Sequence, residues 1–376
     1  MVDYDRFFSQ DVHSFFRSPV REIFKRVDLN SIYSFAGGYP SASTFPLEDI
    51  KKTTAEVIDK YGAKAFQYGA TQGVPELRNA VADRYSVPME RVQITSSSQQ
   101  GIDVCARVLV NPGDVVLTSN PTYLGALQSF KSYRAKIVGV PHSSDIEEFR
   151  QEYVTALEQC KGSGDKVKFL YMIPDFQNPS GETLTLEERK VLVGLAEEYN
   201  FLIVEDSPYR ELRYEGEDVP TMYSLAPDRV LLLGSFSKIF APGFRLGWIL
   251  AAPELLDKIY VCKQSLDLCP PIMDQYVAAE FLTSGRLDRN LKKSIALYKG
   301  KRDLLLSLLG KYMPEGFDAV KFYDVALDNE VAYVAGTFFR TDGKGLNTMR
   351  MNFSFLDESR MEEGVRILAD IVKQHI

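Results

Sequence analysis

Residues 166–208 read KVKFLYMIPDFQNPSGETLTLEERKVLVGLAEEYNFLIVEDSP, and the order of patterns within them decides the fold. An apolar run, "KVKFLYMIP", opens the stretch and another, "FLIVEDSP", closes it. Between them Thr185 and Glu188 have capping-box spacing, and Leu186, Val191 and Leu195 recur near the helical period. Strand, helix, strand in that order gives a right-handed crossover between parallel neighbours. Both runs are almost continuously apolar, as strands covered on two faces must be. The rhythm extends outward. "RVQITSS", "DVVLTSNP" and "AKIVGVP" precede the stretch and "RVLLLGSFS" follows it, each reading as a strand. The expected class is α/β, a mostly parallel central sheet with helices on both faces.

The carboxyl end differs. "EVAYVAGTFF" and "TMRMNFSF" alternate like strands, and "ESRMEEGVRILADIVKQ" places Met361, Val365, Leu368 and Val372 on one helical face. No crossover rhythm appears there, so a smaller α+β domain is expected. Paired prolines in "LDLCPPIMDQ" mark the junction. At 376 residues the chain is longer than one ordinary core. The expected organisation is an amino-terminal segment, 1–40, joining the small domain, then a large domain, 41–268, and a small carboxyl-terminal domain, 269–376.

Composition narrows the class. A hydrophobic share of 45% with 25% charged residues suits a soluble globular protein. The net charge of −7 leaves no cationic surplus for a nucleic-acid backbone. No apolar run reaches the ~18–20 residues of a membrane span, and "MVDYDRFFSQDVHSFF" is too polar for a secretory signal. Cys105, Cys160, Cys262 and Cys269 form no C-x-x-C pair and read as reduced thiols of a cytoplasmic protein. His13, His142 and His375 lack zinc spacing, so no metal site is expected.

In open parallel sheets ligands bind beyond the carboxyl ends of the strands. The residues that follow each apolar run are therefore the informative ones. Ser97, Ser98, Gln99, Gln100 and Gly101 open a helix whose free N–H groups favour an anion. Asn178 follows "FLYMIPDF", and Asp206 and Tyr209 follow "FLIVE". Ser235, Ser237 and Lys238 follow "VLLLG", with Arg245 close behind. Singly, each has an ordinary explanation as a cap, a turn or a solvated loop charge. Together at one sheet edge they supply an amine, a carboxylate, hydroxyls, an amide and two anion-binding stations. Pyridoxal phosphate asks for that set, bound as a Schiff base to lysine with a carboxylate at its ring nitrogen.

"SFSKIFAPGFRLGW", "IPDFQNPSGETLT", "IVEDSPYREL", "FQYGATQGVPELRNAVADRY" and "MRMNFSF" together resemble blocks of the class I and II aminotransferases, the PLP-dependent transferase fold type I. The resemblance runs from about residue 35 to 355. It implies that Lys238 carries the cofactor and moves the substrate α-proton, while Asp206 pairs with the pyridinium nitrogen. Asn178 and Tyr209 would bond the ring 3-oxygen, and Tyr123 of "NPTYLGAL" would stack on the ring. Ser98, Gln99, Ser235, Ser237 and Arg245 would hold the phosphate. Tyr68 would reach the phosphate of a neighbouring subunit, which implies a homodimer with shared active sites. Arg350 would grip the substrate carboxylate through a bidentate fork. The implied reaction moves an amino group from an amino acid to a 2-oxo acid such as 2-oxoglutarate.

"VREIFKRVDLNSIYSFAGGYPSASTFPLEDI" is similar to the amino-terminal region of the 2-aminoadipate and kynurenine aminotransferases. There the turn Gly37-Gly38-Tyr39-Pro40 would line the substrate pocket through Gly38 and Tyr39, and Arg21 would meet an acidic side chain. The amino donor stays open between acidic and aromatic. One departure stands out: after "GKYMPEG" the family continues through an aromatic, glycine-rich strand, whereas this chain passes directly to "FDAVKFYDVAL". Two other readings fit the same fold. One is a β-lyase or decarboxylase. The other is a non-catalytic sensor module, which in transcription regulators follows a basic DNA-binding extension.

Overall fold

A short strand, β1 (Tyr33–Ser34), precedes a run of strands and helices that builds one large sheet. The computed structural model describes residues 2–9, 12, 32–314, 316 and 318–375. The apolar runs all become strands: β2 (Val92–Thr95), β3 (Val115–Ser119), β4 (Lys136–Val140), β5 (Val167–Met172), β6 (Leu202–Asp206) and β7 (Val230–Ser235). β8 (Gly247–Leu250) completes a seven-stranded sheet in the order β2-β8-β7-β6-β5-β3-β4. From β7 to β4 every pairing is parallel, and β8 alone runs antiparallel to both its neighbours. The connection from β7 to β8 is too short for a crossover, so the chain must return antiparallel.

Alternate strand residues enter two separate cores. Leu117, Leu170, Ile203, Leu232 and Leu250 face one. Val116, Phe169, Val204, Leu231, Leu233 and Ile249 face the other. Helices cover both faces, which is why these strands carry no polar side. Each fully buried leucine of β7 contributes roughly 1.5–3 kcal/mol.

The crossover helix spans Leu186–Glu198 and starts with both bonds of its capping box, between Thr185 and Glu188. On it Arg189, fully buried, donates to Asp175 at 2.9 Å, and Arg213 donates to the same carboxylate oxygen at 2.6 Å. Gln177 donates to Ser119 Oγ at 2.5 Å and to the Pro121 carbonyl at 2.8 Å. These bonds fix the loop that carries Asn178.

The carboxyl-terminal strands are shorter than their alternation suggested. β1 pairs in parallel with β9 (Val331–Ala332), and β10 (Val334–Ala335) pairs antiparallel with β11 (Met349–Arg350). Each ladder is two residues long, and a 3₁₀ turn at Gly336–Phe339 takes the chain away from β11 directly after Ala335. Met361, Val365, Leu368 and Val372 of the Glu358–His375 helix are fully buried against Phe35, Leu305 and Tyr333. The Tyr323–Asp328 helix is reached from the Arg286–Tyr312 helix with no strand between them among the described residues. The Ile272–Thr283 helix buries Tyr276, Val277 and Phe281 in the core of the large sheet, so that packing continues past residue 269. Among the described residues no helix is long and apolar enough to cross a membrane.

Candidate active site

The carboxyl ends of β5, β6 and β7 open on a cavity of about 610 Å³. β7 ends at Ser235, whose hydroxyl accepts the Ser237 N–H at 3.1 Å and starts the short Phe236–Ile239 helix. That turn presents Ser237 and Lys238 to the cavity. On the far wall the Ser97–Leu109 helix begins beside Gly247. A Cβ there would lie 2.7 Å from the Ser97 carbonyl carbon and 2.8 Å from the Ser98 nitrogen, so only glycine permits the approach. Ser97 (φ +72°) and Arg245 (φ +51°) both sit in the left-handed region. Arg245 Nη2 donates to Ser97 Oγ at 2.6 Å.

Lys238 Nζ donates to the Gly38 carbonyl at 2.8 Å. Burial, and then the charges of Arg350 and Arg245, push its amine down to about 8. Roughly a tenth is then free base at neutral pH. Asp206 accepts the Tyr171 hydroxyl on Oδ2 at 2.7 Å. Among the described residues its Oδ1 is buried without a hydrogen-bond partner, and burial raises the carboxyl to about 6. An unpartnered buried carboxylate oxygen is costly, so this one is an acceptor waiting for a donor or a cation.

Asn178 links the remaining groups. It is hydrogen-bonded to Tyr209, whose phenol burial pushes up. Its Oδ1 accepts Arg350 Nη1 at 3.1 Å. Arg350 Nη2 donates to the Ala36 carbonyl, and the guanidinium lies 5.0 Å from the Phe339 ring centroid. Tyr39 lines the cavity beside Gly38, and its carbonyl accepts Ser354 Oγ. Tyr123 donates to Gln99 Oε1 at 3.2 Å.

The cavity therefore gathers Ser98, Gln99, Tyr123, Asn178, Asp206, Tyr209, Ser235, Ser237, Lys238 and Arg245, together with Gly38, Tyr39 and Arg350. Tyr68 is elsewhere in this chain. It is 79% exposed and lines a separate cavity of about 670 Å³ with Phe66, Asp267 and Ile272. Arg21 lies outside the described residues. Ser97 stands where the sequence put it, at the start of the anion-favouring helix, whereas nothing in the sequence singles out Tyr171. A tyrosine within a buried strand reads as core, and only strand pairing brings it to Asp206.

The family model for aminotransferase class I and II matches residues 35–368. The chain belongs to the class I and II aminotransferases. This aminotransferase is 40% identical to aromatic-amino-acid aminotransferase 1 of Thermococcus litoralis, covering 100% of the chain and 96% of the relative. It is 34% identical to the 2-aminoadipate transaminase of Thermus thermophilus, over 95% and 94%. The crystal structure of Pyrococcus horikoshii kynurenine aminotransferase matches with a TM-score of 0.93 at 39% identity, covering 100% of this chain and 98% of that one. The first alignment is 402 positions long against 376 residues, so part of that relative has no counterpart here. The aminotransferase uses pyridoxal phosphate and transfers amino groups between small amino and 2-oxo acids. The residues present fit that cofactor: the orphaned Asp206 Oδ1 suits a protonated ring nitrogen, and the nearby lysine is depressed toward its free base.

Proposed function

We propose that Lys238 and Asp206 divide the work of amino-group transfer in this cavity. The carrying observation is that a depressed amine and an unpartnered carboxylate oxygen line the same chamber. When bound, pyridoxal phosphate supplies an electron sink for the charge left as the substrate loses its α-proton. The Lys238 amine tethers the cofactor, then removes and returns that proton. Asp206 Oδ1 holds the ring-nitrogen proton, while Asn178 and Tyr209 hold the 3-oxygen and Tyr123 covers the ring. Ser98, Gln99, Ser235, Ser237 and Arg245 hold the phosphate. Arg350, already oriented by Asn178 and Ala36, receives the α-carboxylate.

Capture of the cofactor by the apoprotein should then follow the free amine. Its rate is expected to rise with pH through a midpoint near 8 and level off above it. A midpoint near that of a solvated lysine, about 10.4, measured by stopped-flow absorbance, would remove the electrostatic depression.

For the donor we propose an aromatic amino acid. A side chamber of about 230 Å³ adjoins Lys238 and Arg350 and is lined by Pro40, Phe176, Leu212, Tyr214, Tyr298 and Phe353. Among the described residues its charged lining residues are Lys238 and Arg350, both already assigned. The similarity to an aromatic-amino-acid aminotransferase of Thermococcus litoralis and a kynurenine aminotransferase of Pyrococcus horikoshii supports this choice. The proposed acceptor remains 2-oxoglutarate, with Arg21 as the partner of its distal carboxylate. Half-reactions should run faster with phenylalanine or kynurenine than with alanine. Tyr214→Ala should lower kcat/KM for phenylalanine by roughly tenfold and leave alanine unchanged, as loss of about 1–3 kcal/mol of side-chain contact implies. An equal fall for both donors contradicts a side-chain chamber.

We also propose a cytoplasmic homodimer divided as expected above, except that the Ile272–Thr283 helix goes with the large domain, and with Tyr68 completing the partner's phosphate site. The exposure of Phe66 (67%) and Tyr68 around their own cavity supports it. Light scattering should give about twice the chain mass of 42.5 kDa. A monomer at working concentration contradicts sharing.

A further inference from the structure

A serine at the head of a helix ordinarily caps it, its oxygen accepting an N–H from the first turn. Ser96 is the N-cap of the Ser97–Leu109 helix and makes no such bond. Its hydroxyl donates away from the helix, to Asp267 Oδ2 at 2.9 Å. Gln100, one turn on, donates to the same oxygen at 2.8 Å, while its Oε1 accepts the Ser96 N–H at 2.8 Å. Lys263, with a fully buried side chain, donates to Asp267 Oδ1 at 2.6 Å. One carboxylate thus gathers both side chains that would otherwise compete for the helix start.

We infer that Asp267 is a positioning residue for the cofactor phosphate, acting through Ser96 and Gln100. By holding the Ser96 hydroxyl it keeps that side chain from capping the first-turn N–H groups, beside Ser98 and Gln99 at the cavity wall. Those groups are the natural seat of an external anion. A bare carboxylate behind a phosphate site would repel the ligand, and the buried Lys263 ammonium cancels that charge. Asp267 also stands just before Pro270 and Pro271, so the same bonds tie that connection to the helix head. The inference rests on the reading that this helix start holds the phosphate.

The test compares pyridoxal phosphate with pyridoxal, which lacks the phosphate, as ligands of the apoprotein. D267A should weaken pyridoxal phosphate by about tenfold or more, the scale of losing one ordered charge-assisted contact. Pyridoxal affinity should stay within about twofold, and the rise in melting temperature that inorganic phosphate gives the wild type should vanish. S96A should shift the same ratio in the same direction by less. The double variant D267A/K263M removes both charges, keeps the core neutral, and should show the same selective loss; it decides the matter where D267A alone fails to fold. Equal weakening of both ligands in the folded variants, or unchanged pyridoxal phosphate affinity, overturns the inference. A wild type that binds pyridoxal as tightly as pyridoxal phosphate overturns the phosphate reading itself, a distinguishable result.

Discussion

Replacing Lys238 with alanine lowers turnover by about 10⁴-fold or more, since it removes both the tether and the base that moves the α-proton. The structure supplies a control that separates this from damage to the fold. Lys238 pays for its position: its folded pKa, about 8, lies below that of a solvated lysine. A lysine depressed on folding destabilises the folded state while it is protonated. Its penalty is full at neutral pH and disappears as pH rises from about 8 toward the unfolded value of about 10.4. The alanine variant carries no such penalty. Its apoprotein should melt no lower than wild type at pH 7 and should lack the wild-type gain in stability between pH 8 and 10. Lost activity with a lowered melting temperature would point to a structural lysine instead.

Asp206→Asn is the second large effect. Asparagine keeps the size and can accept the Tyr171 hydroxyl, but it cannot hold a positive charge on the ring nitrogen. A fall in kcat of about 10²–10³-fold is expected, the usual cost of removing one preorganised charge from the reacting centre. Cofactor binding should survive, because the phosphate contacts lie on other elements. Stability again gives the opposite sign from activity. The folded carboxyl titrates near 6, above the unfolded value of about 3.9. Its contribution is therefore complete below about pH 4 and is lost as pH rises through 6. Asparagine abolishes that loss, so the apoprotein at pH 7 should be at least as stable as wild type by thermal melting. Full turnover in this variant would end the assignment of Asp206.

Much of this was legible in the chain because the sheet is buried on both faces. Runs such as Leu231-Leu232-Leu233 have no polar side, and the Thr185–Glu188 cap marks the helix between β5 and β6 without ambiguity. The polar residues at the strand ends were legible only as a set: each alone reads as a cap, a turn or a loop charge, but at one sheet edge they face a common crevice. β8 was hidden, since four residues inside the lysine block carry no length signal and their direction depends on the short return from β7. The carboxyl-terminal runs alternate over more residues than they pair, because pairing is set by where a partner strand stops. Tyr171 and Asp267 illustrate the other limit. Tyr171 meets Asp206 only through the pairing of β5 with β6. Asp267 reaches Ser96 across 171 positions of sequence. Neither contact leaves a local pattern.

The most direct measurement is borohydride reduction of the holoenzyme followed by peptide mapping in a mass spectrometer. One modified peptide is expected, containing "SFSKIF", with the phosphopyridoxyl mass on Lys238. A modified lysine at any other position, or no modified peptide from an enzyme that still transaminates, would contradict the central claim that this amine holds the cofactor.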